Sequence, residues 1–406
     1  MSDSRQSAEK LSRRWNGYFT PAFITLLSLL LFTLCYNHRR ANIHRLKEHL
    51  RGKPDTVTFI GPGGQAPVPL SRTPSAMGTR PEFTSLTFFP GCGMQIGQLR
   101  GLVPGSGEIS LLFGTQRADG TSYETTFTDA QSAHCDMQKG APFLTPWLGK
   151  LNGHLVSLAD RQAFDTSVNS AHISIPVSQG EHDPATDGLL RDTAASNTQT
   201  TLLVDGQSGT SVFQLAQTNA HSTKSHAWPS PLQLSGTLRV EGQSIDITWT
   251  VQNTGDIATP FNFAWAPRFA LPHAPHVGAT LFVPSIHRVA DGRPSDVTGT
   301  PLDFNKVGGI PLTPSLNVEY VDLQQPVLSD GAGPELRFPD SNFGIRVVLV
   351  DSSFQAVRIA TDPGLQWIAI EPELAPTHAP ARTLAPGQGM TLRLRLEIFP
   401  LAHHDL

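Results

Sequence analysis

Ser244 to Val251 reads SIDITWTV, and Leu392 to Ile398 reads LRLRLEI; in both runs every second residue is apolar. A period of two belongs to a strand with one face on a core and the other in water. Asn253-Thr254-Gly255-Asp256 follows the first run and Pro386-Gly387 precedes the second, so both are bounded by turn formers. Further short β-rich runs recur at Glu108–Phe113, Tyr123–Thr128, His172–Pro176, Thr200–Val204, Ser211–Leu215, Gln233–Val240, Thr280–Val283, Ile345–Leu349, Gln355–Thr361 and Trp367–Ile370. No helical period competes with them after the first fifty residues. The expected fold is all-β, a large antiparallel β-sandwich, because without helices only a second sheet is left to cover a sheet face. No repeat of fixed period supports a propeller.

Composition agrees. The 406 residues are 39% hydrophobic and 16% charged, which is enough to bury a sizeable core and excludes a disordered chain. Thirty-five Gly and 33 Pro, without a G-X-Y period, mark many tight turns between short strands. The net charge of −4 conceals a basic arm: residues 1–53 hold ten Lys/Arg against three Asp/Glu. The remainder is acidic and would repel phosphate, so no nucleic-acid partner is expected. The cysteines Cys35, Cys92 and Cys135 read first as buried thiols, with a Cys92–Cys135 bridge as the alternative.

The arm contains nineteen uncharged residues, Tyr18 to Tyr36 (YFTPAFITLLSLLLFTLCY), close to the roughly 20 that cross a bilayer. The expected organisation is a basic tail at 1–17, a transmembrane helix at 18–36 and a basic juxtamembrane helix at 37–53. A Pro/Gly-rich tether at 54–80 and one β-domain at 81–402 complete it. The lipid bilayer is thus an expected partner, the chain being single-pass. Four basic residues before the span and six after it weigh slightly toward a cytoplasmic body, without fixing the side.

P-loop, G-x-G-x-x-G, H-E-x-x-H, G-x-S-x-G and paired C-x-x-C motifs are all lacking. Fifteen histidines raise the question of a metal, but His273 and His276 sit among prolines and His403-His404 in the tail, and acidic partners at ligand spacing are missing. Neither a metal nor an organic cofactor is expected.

Four segments, in order, resemble the aldose 1-epimerase (galactose mutarotase) family. Gly140 to Gly153 (GAPFLTPWLGKLNG) is similar to its "PxLFPWxNRLxxG" segment, and Asp183 to Asp192 (DPATDGLLRD) to "xxxHGLxRx". Leu238 to Leu271, ending VQNTGDIATPFNFAWAPRFAL, resembles "xxNxSDxPxPxxxxxHxYF"; Ile368 to Gly387 (IAIEPELAPTHAPARTLAPG) resembles the block that carries the catalytic glutamate. The resemblance, over roughly residues 84–399, implies a galactose mutarotase-like supersandwich that binds a small-molecule carbohydrate. It implies acid–base interconversion of α and β anomers.

In that chemistry a base removes the anomeric hydroxyl proton while an acid protonates the ring oxygen. The resemblance assigns the base to Glu371. Two histidines of the family are replaced, one by Asp187 and one by Ala266, so Asp187 is the candidate acid, with His182 as a possible stand-in. Lys150, Arg191, Arg268 and Asn317 are candidate hydroxyl or phosphate ligands, and Trp147 and Trp265 candidate stacking platforms for the sugar. Glu371 speaks for an enzyme. The missing histidines speak for the alternative, a catalytically inactive membrane-anchored carbohydrate-binding or sensing module, and an envelope scaffold with a filled pocket is a third reading.

Overall fold

The computed structural model describes residues 33, 62–75, 78–114, 135, 139–157, 162–168, 171–176, 186–215, 228–271, 279–290, 297–298, 309–323, 333–377 and 379–401. The chain divides into a unit Met1–Thr58 and a unit Phe59–Leu406. The expected basic tail, membrane helix and juxtamembrane helix fall, Thr33 apart, outside the described residues. Among those described, no helix is long and apolar enough to cross a membrane.

The second unit is built from antiparallel sheets, two of them large. One has nine strands and is centred on Gly389–Pro400 paired with Ser244–Asn253, the two alternating runs of the sequence. The other has eight, seven in a continuous order centred on Asn317–Leu323, Ala356–Thr361 and Trp367–Glu373 and an eighth, Arg268–Ala270, that also pairs with Trp367–Glu373. Their apolar faces share one core. Trp249 of the nine-stranded sheet meets Phe143 edge-on, with ring centroids 4.9 Å apart, and lies 5.9 Å from Phe263. Such aromatic pairs add about 0.5–1.5 kcal/mol each to simple burial. Smaller sheets of four, three and two strands complete the unit. Among the described residues from 62 onward the only helical turns are short 3-10 segments, such as Pro90–Cys92 and Leu190–Asp192.

Several expectations need correction. The segment read as a tether, 54–80, is part of the domain from residue 62: Val68–Ser71 pairs with Glu82–Phe89, and Leu70 is 0% exposed. Arg72 beside it pairs with the buried Glu82. Four residues with a proline among them carry too little pattern to show as a strand. Glu82–Phe89 itself (EFTSLTFF) escaped notice because it is buried on both faces and does not alternate. The run Trp367–Ile370 continues to Glu373; Pro372 does not stop it, sitting between the rungs Ile370 N–H to Pro267 O and Leu374 N–H to Phe263 O. Cys92 and Cys135 are bridged, with Cα atoms 5.6 Å apart, rather than buried as free thiols. Tyr123–Thr128 lies outside the described residues.

Leu70→Ala separates a tether from a core strand. Removing a fully buried leucine should lower stability by about 2–5 kcal/mol in chemical denaturation, whereas a change within ±0.5 kcal/mol would be that of a linker.

Candidate active site

On the three central strands of the eight-stranded sheet, one parity faces the core and the other faces out. Ile368, Ile370, Val357, Ile359 and Tyr320 belong to the core cluster. Their neighbours Glu371, Glu373, Arg358, Ala360 and Glu319 lie on the opposite face, as strand pleating requires. The register aligns them in rows: Glu319 is opposite Arg358, and Arg358 is opposite Glu371. On the other side of Trp367–Glu373 the chain supplies Ala264, Ala266 and Arg268. Small residues at 264, 266 and 360 leave a cleft of about 190 Å³, lined by Leu148, Gly149, Asp187, Arg268, Arg358, Trp367, Glu371 and Glu373 among others.

Buried polar groups hold the cleft walls. Asn262 donates to Ala375 O and accepts from the N–H groups of Phe263 and Ala375, while its own N–H donates to Pro146 O. The outer wall is a turn pair: Asp187 N–H donates to Gly149 O at 3.0 Å, and Gly149 N–H donates to Asp187 Oδ1 at 2.8 Å. Asp187 has φ +60° and Gly188 φ +88°. A Cβ at Gly188 would stand 2.0 Å from Thr145 O, so only glycine fits there.

Burial raises the pKa of Glu371; Arg358 and Arg268 oppose the rise and Asp187 adds to it. Glu373, 2% exposed, is pushed up much further, by burial first and then by Glu319, to which it is hydrogen-bonded. A cleft with two carboxyl groups set at different heights can hold one as a base and one as an acid.

Of the residues singled out from sequence, Glu371, Asp187 and Arg268 meet in this cleft. Asn317 accepts a 2.9 Å hydrogen bond from Arg358 Nε and stands one row away. Lys150 is exposed on the turn bridged to Thr186, and Arg191 pairs with Asp192 at 2.9 Å; neither lines the cleft. The two tryptophans are corrections: Trp265 is 1% exposed and stacked on Phe143, and Trp147 is stacked on Trp228, so both pack inside. Strand parity turns Trp265 inward, and Trp147, in the loop after Phe143–Leu144, is buried against Trp228. The cleft's aromatic is Trp367, with the Arg268 guanidinium 5.3 Å from its ring centre. His182, His273, His276, His403 and His404 lie outside the described residues. Among the described residues no group of three His, Cys, Asp or Glu could hold a metal ion. Sequence reading missed Arg358, Glu319, Glu373 and Trp367; only the cross-strand register brings them together.

No protein-family model matches the chain, and no curated protein matches it. Solved structures do. A galactose mutarotase-like protein from Clostridium acetobutylicum superposes with a TM-score of 0.59 at 12% identity, over 82% of this chain and 99% of that one. The Slr1438 protein from Synechocystis sp. PCC 6803 gives 0.55 at 17%, over 82% and 96%. A galactose mutarotase related enzyme from Lactobacillus acidophilus gives 0.53 at 14%, over 79% and 95%. The chain therefore has the mutarotase-like sandwich fold, and at such identities the likeness is one of fold.

The raised Glu373 has a consequence for stability. Its folded pKa exceeds the model-compound value of 4.5, so folding favours the neutral form. That contribution is fully present below about pH 4.5 and is lost as pH rises through the folded value. Glu373→Gln, neutral throughout, should equal the wild type near pH 4 in thermal melts and gain on it progressively toward pH 8. A constant offset at every pH would contradict the buried neutral carboxyl.

Proposed function

We propose that the protein binds a free sugar in the cleft at Glu371 and interconverts its anomers by acid–base catalysis, as an aldose 1-epimerase does. The observation that carries this reading is Glu371 itself. It is a partly buried carboxylate with raised proton affinity, at the floor of a cleft of ring size, between two arginines that can bind hydroxyl groups. The mutarotase-like fold of the neighbours supports it. Glu371 would take the anomeric hydroxyl proton, a second carboxyl would protonate the ring oxygen, and Trp367 would pack against the apolar ring face. Asp187 is one such carboxyl at the wall.

A second reading, a sugar-binding module without catalysis, is favoured by one observation: Ala266 and Asp187 occupy places where the resembling family has imidazoles, and no histidine lines the cleft among the described residues. Saturation-transfer NMR of glucose and galactose mutarotation separates the two. Glu371→Gln should slow exchange by about 10²–10⁴-fold. A wild type no faster than this variant, but whose sugar binding is weakened by Trp367→Ala, would leave the binding module standing.

We also propose that the apolar span 18–36 anchors the domain in a bilayer, with the domain on the oxidising side. The Cys92–Cys135 bridge supports this side, since cytosolic thiol buffers keep such pairs reduced. Protein extracted from cells with thiols blocked should contain the bridge; two free thiols would place the domain in the cytosol.

A further inference from the structure

The chemistry proposed above needs a proton donor as well as a base, and the strand that carries Glu371 presents one. Glu373 is two residues further on, on the same face and in the same cleft. At about 3.3 Å of rise per residue the two Cα atoms stand about 6–7 Å apart. That is the scale of the roughly 5–5.5 Å between two carboxyl groups that act on one sugar bond in retaining glycosidases.

Glu373 is hydrogen-bonded to Glu319, which is 7% exposed, and two carboxyl groups can share a hydrogen bond only with a proton between them. The surroundings say which of the two holds it. Thr377 N–H donates to Glu319 Oε1 at 2.8 Å, a bond that favours the charged form. The Thr377 hydroxyl stands 3.3 Å from Glu319 Oε1 and from Glu373 Oε2, bracing the pair. Arg358 faces them from the neighbouring strand and Glu371 from the same one; Asp187 and Arg268 lie on the farther walls. Ala264, opposite Glu373, and Leu144, opposite Ala264, bring no charge.

We propose that Glu373, paired with Glu319, delivers the proton to the ring oxygen of the sugar whose anomeric hydroxyl Glu371 deprotonates. The inference rests on the epimerase reading. In the opening step the O1–H bond breaks and its proton passes to Glu371. The C1=O1 bond forms, the C1–O5 pair moves to O5, and O5 takes the Glu373 proton. After rotation about C1–C2 the sequence runs backward on the other face of C1. Glu373 recovers its proton from O5, Glu371 returns one to O1, and nothing is consumed. Burial and Glu319 lift Glu373 further than burial lifts Glu371, which opens a pH window with the base ionised and the acid loaded.

The test is the pH–rate profile of mutarotation by the full-length protein. The wild type should give a bell, with Glu371 setting the acid limb and Glu373 the alkaline one. Glu373→Gln, which keeps a donor toward Glu319, should lose the alkaline limb and about 10²–10⁴-fold in kcat with little change in KM. Glu319→Gln should keep the plateau but move the alkaline limb to lower pH, because the negative partner is gone. In Asp187→Asn the alkaline limb should persist. An active wild type with Glu373→Gln within about threefold of it, or an alkaline limb lost in Asp187→Asn instead, overturns this inference alone. A wild type no faster than Glu371→Gln overturns the epimerase reading and the inference with it. Infrared spectra at neutral pH give a readout apart from activity: a protonated-carboxyl band present in the wild type and missing in Glu373→Gln supports the donor, and its absence from the wild type refutes it.

Discussion

Everything at the cleft depends on the two-residue period of one strand. In Trp367–Glu373 the even positions Ile368 and Ile370 enter the dry core while Ala369, Glu371 and Glu373 face away from it. A slip of one residue would drive two carboxyl groups among the aromatics and turn isoleucines into the cleft. The apolar side therefore fixes the register of the polar side, since leaving a carboxylate in the core without a partner costs several kcal/mol. Once that strand is placed, its neighbours bring Arg358 and Glu319 into line without any further choice.

The cleft exists because residues are small where neighbouring strands would otherwise fill it. Alanines at 264, 266 and 360 line it, and the proline pair 142 and 372 stiffens the chain around it. Polar groups beneath are satisfied by backbone rather than by solvent: Asn262 ties three segments together, and the Gly149–Asp187 pair closes the wall. A rigid floor of this kind holds carboxyl groups at fixed separations, which is what proton transfer within one small ring requires.

Much of the fold was legible because alternation is a local signal. SIDITWTV and LRLRLEI became paired strands at the centre of the larger sheet. Val68–Ser71 and Glu82–Phe89 were not legible, the first too short and proline-marked, the second apolar on both faces. The site was readable only in part. Glu371, Asp187 and Arg268 could be found from segment content, whereas Glu319, Arg358 and Glu373 become neighbours through two successive strand pairings that together span 54 residues of the chain, which no short window contains. Trp147 and Trp265 show the converse: residue type suggested a sugar platform, but both are packed against aromatic neighbours inside, and the aromatic that lines the cleft is Trp367.

The left-handed backbone at residue 187 limits the alphabet that evolution can write there. Aspartate, asparagine, histidine and glycine accept a positive φ far more readily than branched or bulky side chains do. Histidine could adopt the same backbone there, but it would give up the hydrogen bond that Asp187 Oδ1 accepts from Gly149 N–H. Position 266 is different: it lies buried within the sheet, where a larger ring would take up volume of the cleft. The two positions thus answer to different constraints, one conformational and one volumetric.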